Sequence, residues 1–194
     1  EMTSSLVGSE MCIRDSNYGV QDGELYKPDS MNIGGGKDFG DFNADDIDFG
    51  DLDLDNLLRY MAVHIFSVNE DSLSGSMAHN YYLYEEDGVL SMIPWDYNLA
   101  FGGFLGGSDA TSVVNDPIDS PVSSGSTEDR PMVAWIFQEE TYTQQYHALY
   151  DQFITTYFES GAFETEFDQV SAMIAPYVER AVSYTHLTLP TTSR

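Results

Sequence analysis

The spacing of hydrophobic and polar positions changes period several times along the chain. Leu52, Leu54, Leu57, Leu58, Met61, Ala62, Ile65 and Phe66 recur at helical spacing, and Asp53 or Asp55 is placed to cap them. A helix is predicted from about Asp55 to Val68. Tyr81–Tyr84 and Val89–Pro94 are aromatic and apolar runs separated by Glu85-Glu86-Asp87-Gly88. That is the pattern of two antiparallel strands joined by a tight turn. Helical spacing returns after Pro131, a good first helical residue, with Met132, Val133, Trp135, Ile136 and Phe137 forming an apolar face. A further helix is predicted from about Tyr142 to Phe158, capped by Thr141 or Thr143. Tyr146, Leu149, Tyr150, Phe153, Ile154 and Tyr157 should face inward. The last predicted helix runs from about Glu164 to Arg180, with Phe167, Val170, Ile174 and Val178 on one face and Pro176 expected to kink or interrupt it. Near the start, a turn at Gln21-Asp22-Gly23 leads into a short strand, Glu24–Lys27, ended by Pro28. Two stretches carry no period: the Gly/Asp-rich 30–54, a loop, and 99–126, rich in Gly, Ser, Asp and Pro.

Composition narrows the classes. The chain has 194 residues, 42% of them hydrophobic and 13% aromatic, enough for one domain with a substantial core. A formal net charge of −26 argues against nucleic acid and anionic membranes as partners, since both require a cationic face. It permits basic protein partners and divalent cations, and most of the acid reads as solvated surface and loop. No apolar run is long enough to span a membrane.

Both ends read as foreign to the fold. Val182 to Leu187 can be encoded by GTC TCT TAT ACA CAT CTC, whose reverse complement encodes Glu-Met-Cys-Ile-Arg-Asp, the sequence from Glu10 to Asp15. Complementary strands encoding two separate segments are what an adapter ligated to both ends of a DNA fragment produces. Residues 1–16 and 181–194 are therefore expected to be translated sequencing adapter, and 17–180 a partial domain. This sets aside the single cysteine, Cys12, and with it any disulfide or thiol chemistry. No leader with an apolar core is visible, but the native N-terminus is expected to lie outside the chain.

Several motif matches fail on chemistry. Asp38-Phe39-Gly40 and Asp48-Phe49-Gly50 lie in low-complexity sequence and follow no strand. Gly34-Gly35-Gly36-Lys37-Asp38 lacks the leading glycine of a P-loop and carries Asp38 where a hydroxyl must reach Mg²⁺. The run from Asp41 to Leu52 fails as an EF-hand, with Asp46 at the glycine turn and Leu52 at the bidentate glutamate. The stretch from Ser67 to Phe104 is different. Antiparallel strands would bring Asn80, at the start of the first, beside Asp96, at the end of the second, with Asp71 on the loop leading in. Phosphoryl transfer needs a carboxylate to orient the acceptor hydroxyl and oxygen ligands for Mg²⁺. Protein kinases supply these as loop base, Asn, strand, turn, strand and metal-binding Asp, the order found here. The Asp71–Asn80 interval is longer than in kinases, and Trp95-Asp96-Tyr97 stands in place of Asp-Phe-Gly.

The segment HNYYLYEEDGVLSMIPWDYNLAFG, with VNEDS before it and GELYKPD further upstream, resembles the CotH kinase family of atypical, protein-kinase-like proteins. The resemblance covers nearly all of 17–180. It implies an α+β fold, a kinase-like C-lobe that is mostly helical with a β-hairpin carrying the metal site. It implies transfer of the ATP γ-phosphate to a protein Ser or Thr hydroxyl, with Asp71 as the catalytic-loop Asp and Asp96 as the Asp that holds Mg²⁺ or Mn²⁺. Asn80 fits the second metal ligand by the strand argument, and Lys27 is a candidate phosphate contact. Among secondary residues, His79 reads as a loop-fixing hydrogen-bond partner and Asn98 as a metal support or turn cap. Arg130 reads as partner to a carboxylate near the site, and Trp95 as core. His64 and His147 lack ligand spacing to each other. The acidic surroundings favour a basic, Ser-rich acceptor protein. The resemblance places such proteins on spore coats or extracellular surfaces. No glycine-rich phosphate loop or Lys–Glu pair of an N-lobe is identifiable, so the chain by itself is expected to be inactive or very weak. The alternatives from other classes are a non-catalytic, adhesin-like binding module and a secreted carbohydrate-associated accessory protein of the same family.

Overall fold

The computed structural model describes residues 24–26, 52–76, 78–104, 110–123 and 125–187. The order of its main elements is β1 (Glu24–Tyr26), α1 (Leu54–Phe66), β2 (Tyr81–Glu86), β3 (Val89–Pro94), α2 (Ala110–Val113), α3 (Pro131–Gln138), α4 (Glu140–Phe153) and α5 (Ala162–Leu187). The fold is α+β, and the chain divides into two compact units, one through Tyr150 and one from Asp151. No described helix is long and apolar enough to cross a membrane.

In the first unit the three strands form an antiparallel sheet in the order β1-β2-β3. The hairpin turns at Asp87-Gly88, both with positive φ, the backbone that matches the twist of a two-residue turn. Its register pairs Glu86 with Val89 and Tyr81 with Pro94. Strand β2 lies between the other two, and Tyr81 to Tyr84 are consecutively buried.

Helix α1 starts where Asp53 accepts a hydrogen bond from the Asn56 amide at 3.1 Å. This leaves an orphan donor of the first turn satisfied. The helix then lies along the free edge of β3. Asp53 donates its amide to the Leu90 carbonyl at 2.8 Å, and the Asn56 side chain both accepts from and donates to the Met92 backbone, at 2.6 and 3.2 Å. Asn56 thereby takes the place of a neighbouring strand at an edge that would otherwise be open. The core is built from Leu57, Leu58 and Met61 of α1, Leu83 and Met92 of the hairpin, Val133 and Ile136 of α3, and Tyr146 of α4.

Some expectations are corrected. Helix α4 begins at Glu140, before either predicted cap, and the Thr143 hydroxyl donates to the carbonyls of Ile136 and Glu139 rather than capping. Beyond Phe153 the helix widens into a π turn, Ile154–Glu159, so the predicted single α-helix to Phe158 ends early. In the second unit aromatic rings gather around that turn, with Phe158 stacked on Phe163 at 4.8 Å. Pro176 lies inside α5 without interrupting it, and α5 continues past the predicted end at Arg180. Its apolar face does not form a core: Phe167, Val170, Ile174 and Val178 are exposed. A short helix, α2, breaks the stretch predicted as irregular between 99 and 126.

Candidate active site

The loop from Ser67 to Gly75 joins α1 to the hairpin and is almost wholly buried. A buried loop must satisfy its own backbone polar groups, and this one does so from several directions. The Arg130 guanidinium, 3% exposed, donates from Nε to the Leu73 carbonyl at 3.1 Å and from Nη2 to the Gly75 carbonyl at 3.1 Å. Burial lowers its pKa, with Asp129 and Tyr81 acting in the other direction. Arg130 thus holds loop carbonyls, and the carboxylate that acts on its charge is that of Asp129. Ser123 donates its amide to the Ser74 carbonyl at 3.0 Å. After the hairpin the chain returns, and the amides of Phe101 and Gly102 donate to the carbonyls of Ser67 and Val68 at 2.5 and 3.2 Å. Gly75 is required by space: a Cβ there would lie 1.6 Å from the Glu70 carbonyl oxygen.

Asp71 sits inside this loop, 6% exposed. His79 Nε2 lies 2.5 Å from its Oδ1. The Asn80 Nδ2 amide donates to Asp71 twice, to the backbone carbonyl at 2.9 Å and to Oδ2 at 3.0 Å. Both contacts are to acceptors, which fixes which end of the carboxamide is nitrogen and leaves Oδ1 as its acceptor atom. Each Asp71 carboxylate oxygen thus has one hydrogen-bond partner here, His79 for Oδ1 and Asn80 for Oδ2.

Asp96 and Asn80 lie just beyond the last pair of the hairpin, Tyr81 with Pro94, at the same end. Asp96 is exposed, and its carboxylate makes no cap bond to the short 3₁₀ turn Tyr97–Leu99 that follows it. Asn80 and Asp96 both have left-handed backbone, with φ of 59° and 54° respectively. Apart from Asp87 in the hairpin turn, every described non-glycine residue at positive φ (Val68, Ala78, Asn80, Asp96 and Phe101) belongs to the two segments around Asp71 and Asp96. Strain of this kind persists only where surroundings over-determine it, and it gathers at functional sites.

The structure thus brings Asp71, His79 and Asn80 into direct contact and sets Asp96 beyond the same hairpin end as Asn80. Lys27 lies outside the described residues. Asn98 is exposed, and Trp95 is half-buried against Tyr82 rather than core. His147 pairs with Asp119 at 2.5 Å on the surface, while His64 is buried far from it in sequence. Sequence reasoning did not single out Ser72, the neighbour of Asp71, which bonds to His64. A serine among Ser67, Ser72, Ser74 and Ser76 carries no local signal of its role.

Among the described residues no group of three or more His, Cys, Asp or Glu is arranged to hold a metal ion. Asp96 and Asn80 would offer such a cation two oxygen ligands, with water or phosphate oxygens able to complete its shell. Carboxylate and carboxamide oxygens suit a hard ion that keeps such ligands. Beside the loop, a cavity of about 340 Å³ opens between the end of α1 and the segment after α2, with Glu70 and Asp116 on its wall. Burial, then the nearby Asp116 carboxylate, raises the Glu70 pKa.

The family model described as CotH kinase protein matches residues 50–189. No curated protein and no solved structure matches the chain.

Proposed function

The chain belongs to the CotH kinase protein family, and on that premise we propose that the full protein transfers the ATP γ-phosphate to a Ser or Thr hydroxyl of a protein, the chain by itself being inactive or very weak. Asp71 orients the acceptor hydroxyl and takes its proton as the oxygen–phosphorus bond forms. The bond from the γ-phosphorus to the bridging oxygen breaks, and its electron pair leaves with ADP. Asp96 and Asn80 hold Mg²⁺ or Mn²⁺, which when bound neutralises charge on the phosphates. Lys27 is assigned a phosphate contact.

The observation that carries this reading is the orientation of Asn80. Its Nδ2 is engaged by the Asp71 carbonyl and carboxylate, at 2.9 and 3.0 Å. The same side chain therefore fixes the base through its nitrogen and has its oxygen left for a cation. His79 contributes a second hydrogen-bond partner to Asp71, so the carboxylate is held in place before a substrate arrives.

The test is metal-dependent ATP binding and phosphate transfer by the full protein, with Asp96→Ala as the control. Binding should require Mg²⁺ or Mn²⁺ and be lost in the variant. Asp71→Asn should keep nucleotide binding and lower transfer by at least about a hundredfold. Absence of ATP binding, combined with affinity for a protein partner, would favour a non-catalytic, adhesin-like module instead.

A further inference from the structure

We propose that His64 is a positioning residue, a neutral imidazole bridge that ties the loop carrying Asp71 to the turn carrying Asp96. The roles of those two aspartates rest on the phosphotransfer reading; the bridge itself rests on geometry. His64 lies on the inner face of α1, 1% exposed, stacked on Tyr60 with ring centroids 5.0 Å apart. One ring nitrogen, Nε2, bonds the hydroxyl of Ser72, the residue after Asp71. The other, Nδ1, lies 3.3 Å from the hydroxyl of Tyr97, the residue after Asp96. A single side chain thus touches the immediate neighbour of each candidate functional carboxylate.

The proton positions in this chain follow from counting donors. The Ser72 hydroxyl has one proton and donates it to the Asn69 carbonyl at 2.5 Å. It must therefore accept from His64, which places the imidazole proton on Nε2. Nδ1 is then a lone pair and accepts the Tyr97 hydroxyl proton. The hydrogen bonds run in one direction, from Tyr97 through His64 and Ser72 to the Asn69 carbonyl. A second proton on the ring would turn Nδ1 into a donor and reverse the hydrogen bond to Tyr97. Burial opposes that proton, lowering the His64 pKa to about 3. The bridge is therefore constant across the physiological range. It acts as a fixed spacer, seconded by the Phe101 and Gly102 amides on the Ser67 and Val68 carbonyls.

Tyr97→Phe tests this with the smallest disturbance, since it keeps the ring that packs edge-on against His64 and removes only the hydroxyl. Side-chain ¹⁵N spectra of the wild-type chain should show His64 protonated at Nε2. In Tyr97→Phe the His64 Nδ1 signal and the backbone amides of Asp71 and Ser72 should shift. In the full protein the same variant should weaken Mg²⁺–ATP binding about tenfold, the size of a lost supporting hydrogen bond at a metal site. Ser72→Ala should move the Tyr97 ring signals in the reciprocal experiment. An Nδ1–H tautomer, or Asp71 and Ser72 amides unmoved by Tyr97→Phe, would overturn the bridge. If Asp96→Ala leaves ATP binding intact while Tyr97→Phe still moves those amides, the bridge stands and the phosphotransfer reading falls.

Discussion

Arg130 shows most plainly how single residues maintain the site. It is a buried cation whose two long-range hydrogen bonds go to carbonyls of the Asp71 loop. A guanidinium can do this because its donors are fixed in a plane and it stays charged under any ordinary condition. Arg130→Met would fill most of the volume and leave the Leu73 and Gly75 carbonyls without those donors. The expected loss is about 2–4 kcal/mol in urea-denaturation stability. Arg130→Lys, with one point charge, should recover only part of it. A loss below about 0.5 kcal/mol for the methionine variant would mean that water replaces both donors.

At the scale of elements, the edge of β3 is the feature that sets the site's position. The hairpin would be marginal alone. It is anchored because α1 presents Asn56 to the Met92 backbone as though it were another strand. That contact fixes the hairpin against the helix whose C-terminal end leads into the Asp71 loop. Asn56→Ala should cost about 1–2 kcal/mol for the two hydrogen bonds and speed amide exchange at Met92 selectively. Unchanged exchange at Met92 would show that the strand edge is held by packing alone. Helix α5 behaves differently. Its apolar residues recur at helical period, but burial requires a facing surface, and in the structure Phe167 and Met173 remain 60% and 64% exposed.

For the molecule as a whole, the net charge of −26 sets the long-range field. Near the site the same sign appears in Glu70 and Asp116, which face the cavity beside the Asp71 loop. On the phosphotransfer reading, the full protein should therefore phosphorylate a basic acceptor peptide with a lower KM than an acidic one of equal length. The difference should shrink as salt rises toward about 0.5 M, because exposed charges are screened within a few ångströms there. Equal rates on both peptides at low salt would remove charge as a determinant of the acceptor.

What the amino-acid sequence determined by itself is local. The start of α1 at an Asp cap, a hairpin turning between Tyr84 and Val89, Pro131 at the head of α3 and the family signature from His79 to Gly102 were all legible, while the structure extends β2 through Glu85 and Glu86 and narrows the turn to Asp87-Gly88. Each depends on periodicity, capping or turn chemistry acting over a few neighbouring residues. The hairpin pattern also foretold that Asn80 and Asp96 would lie at one end, since antiparallel pairing follows from a tight turn. Tertiary structure alone decided which groups touch. The Asn80 amide on Asp71, the His64 imidazole between Ser72 and Tyr97, and the Arg130 clamp on the loop all join residues that no sequence period relates. It also decided the fate of the α5 stripe, because a helical repeat specifies a face but not the surface that covers it.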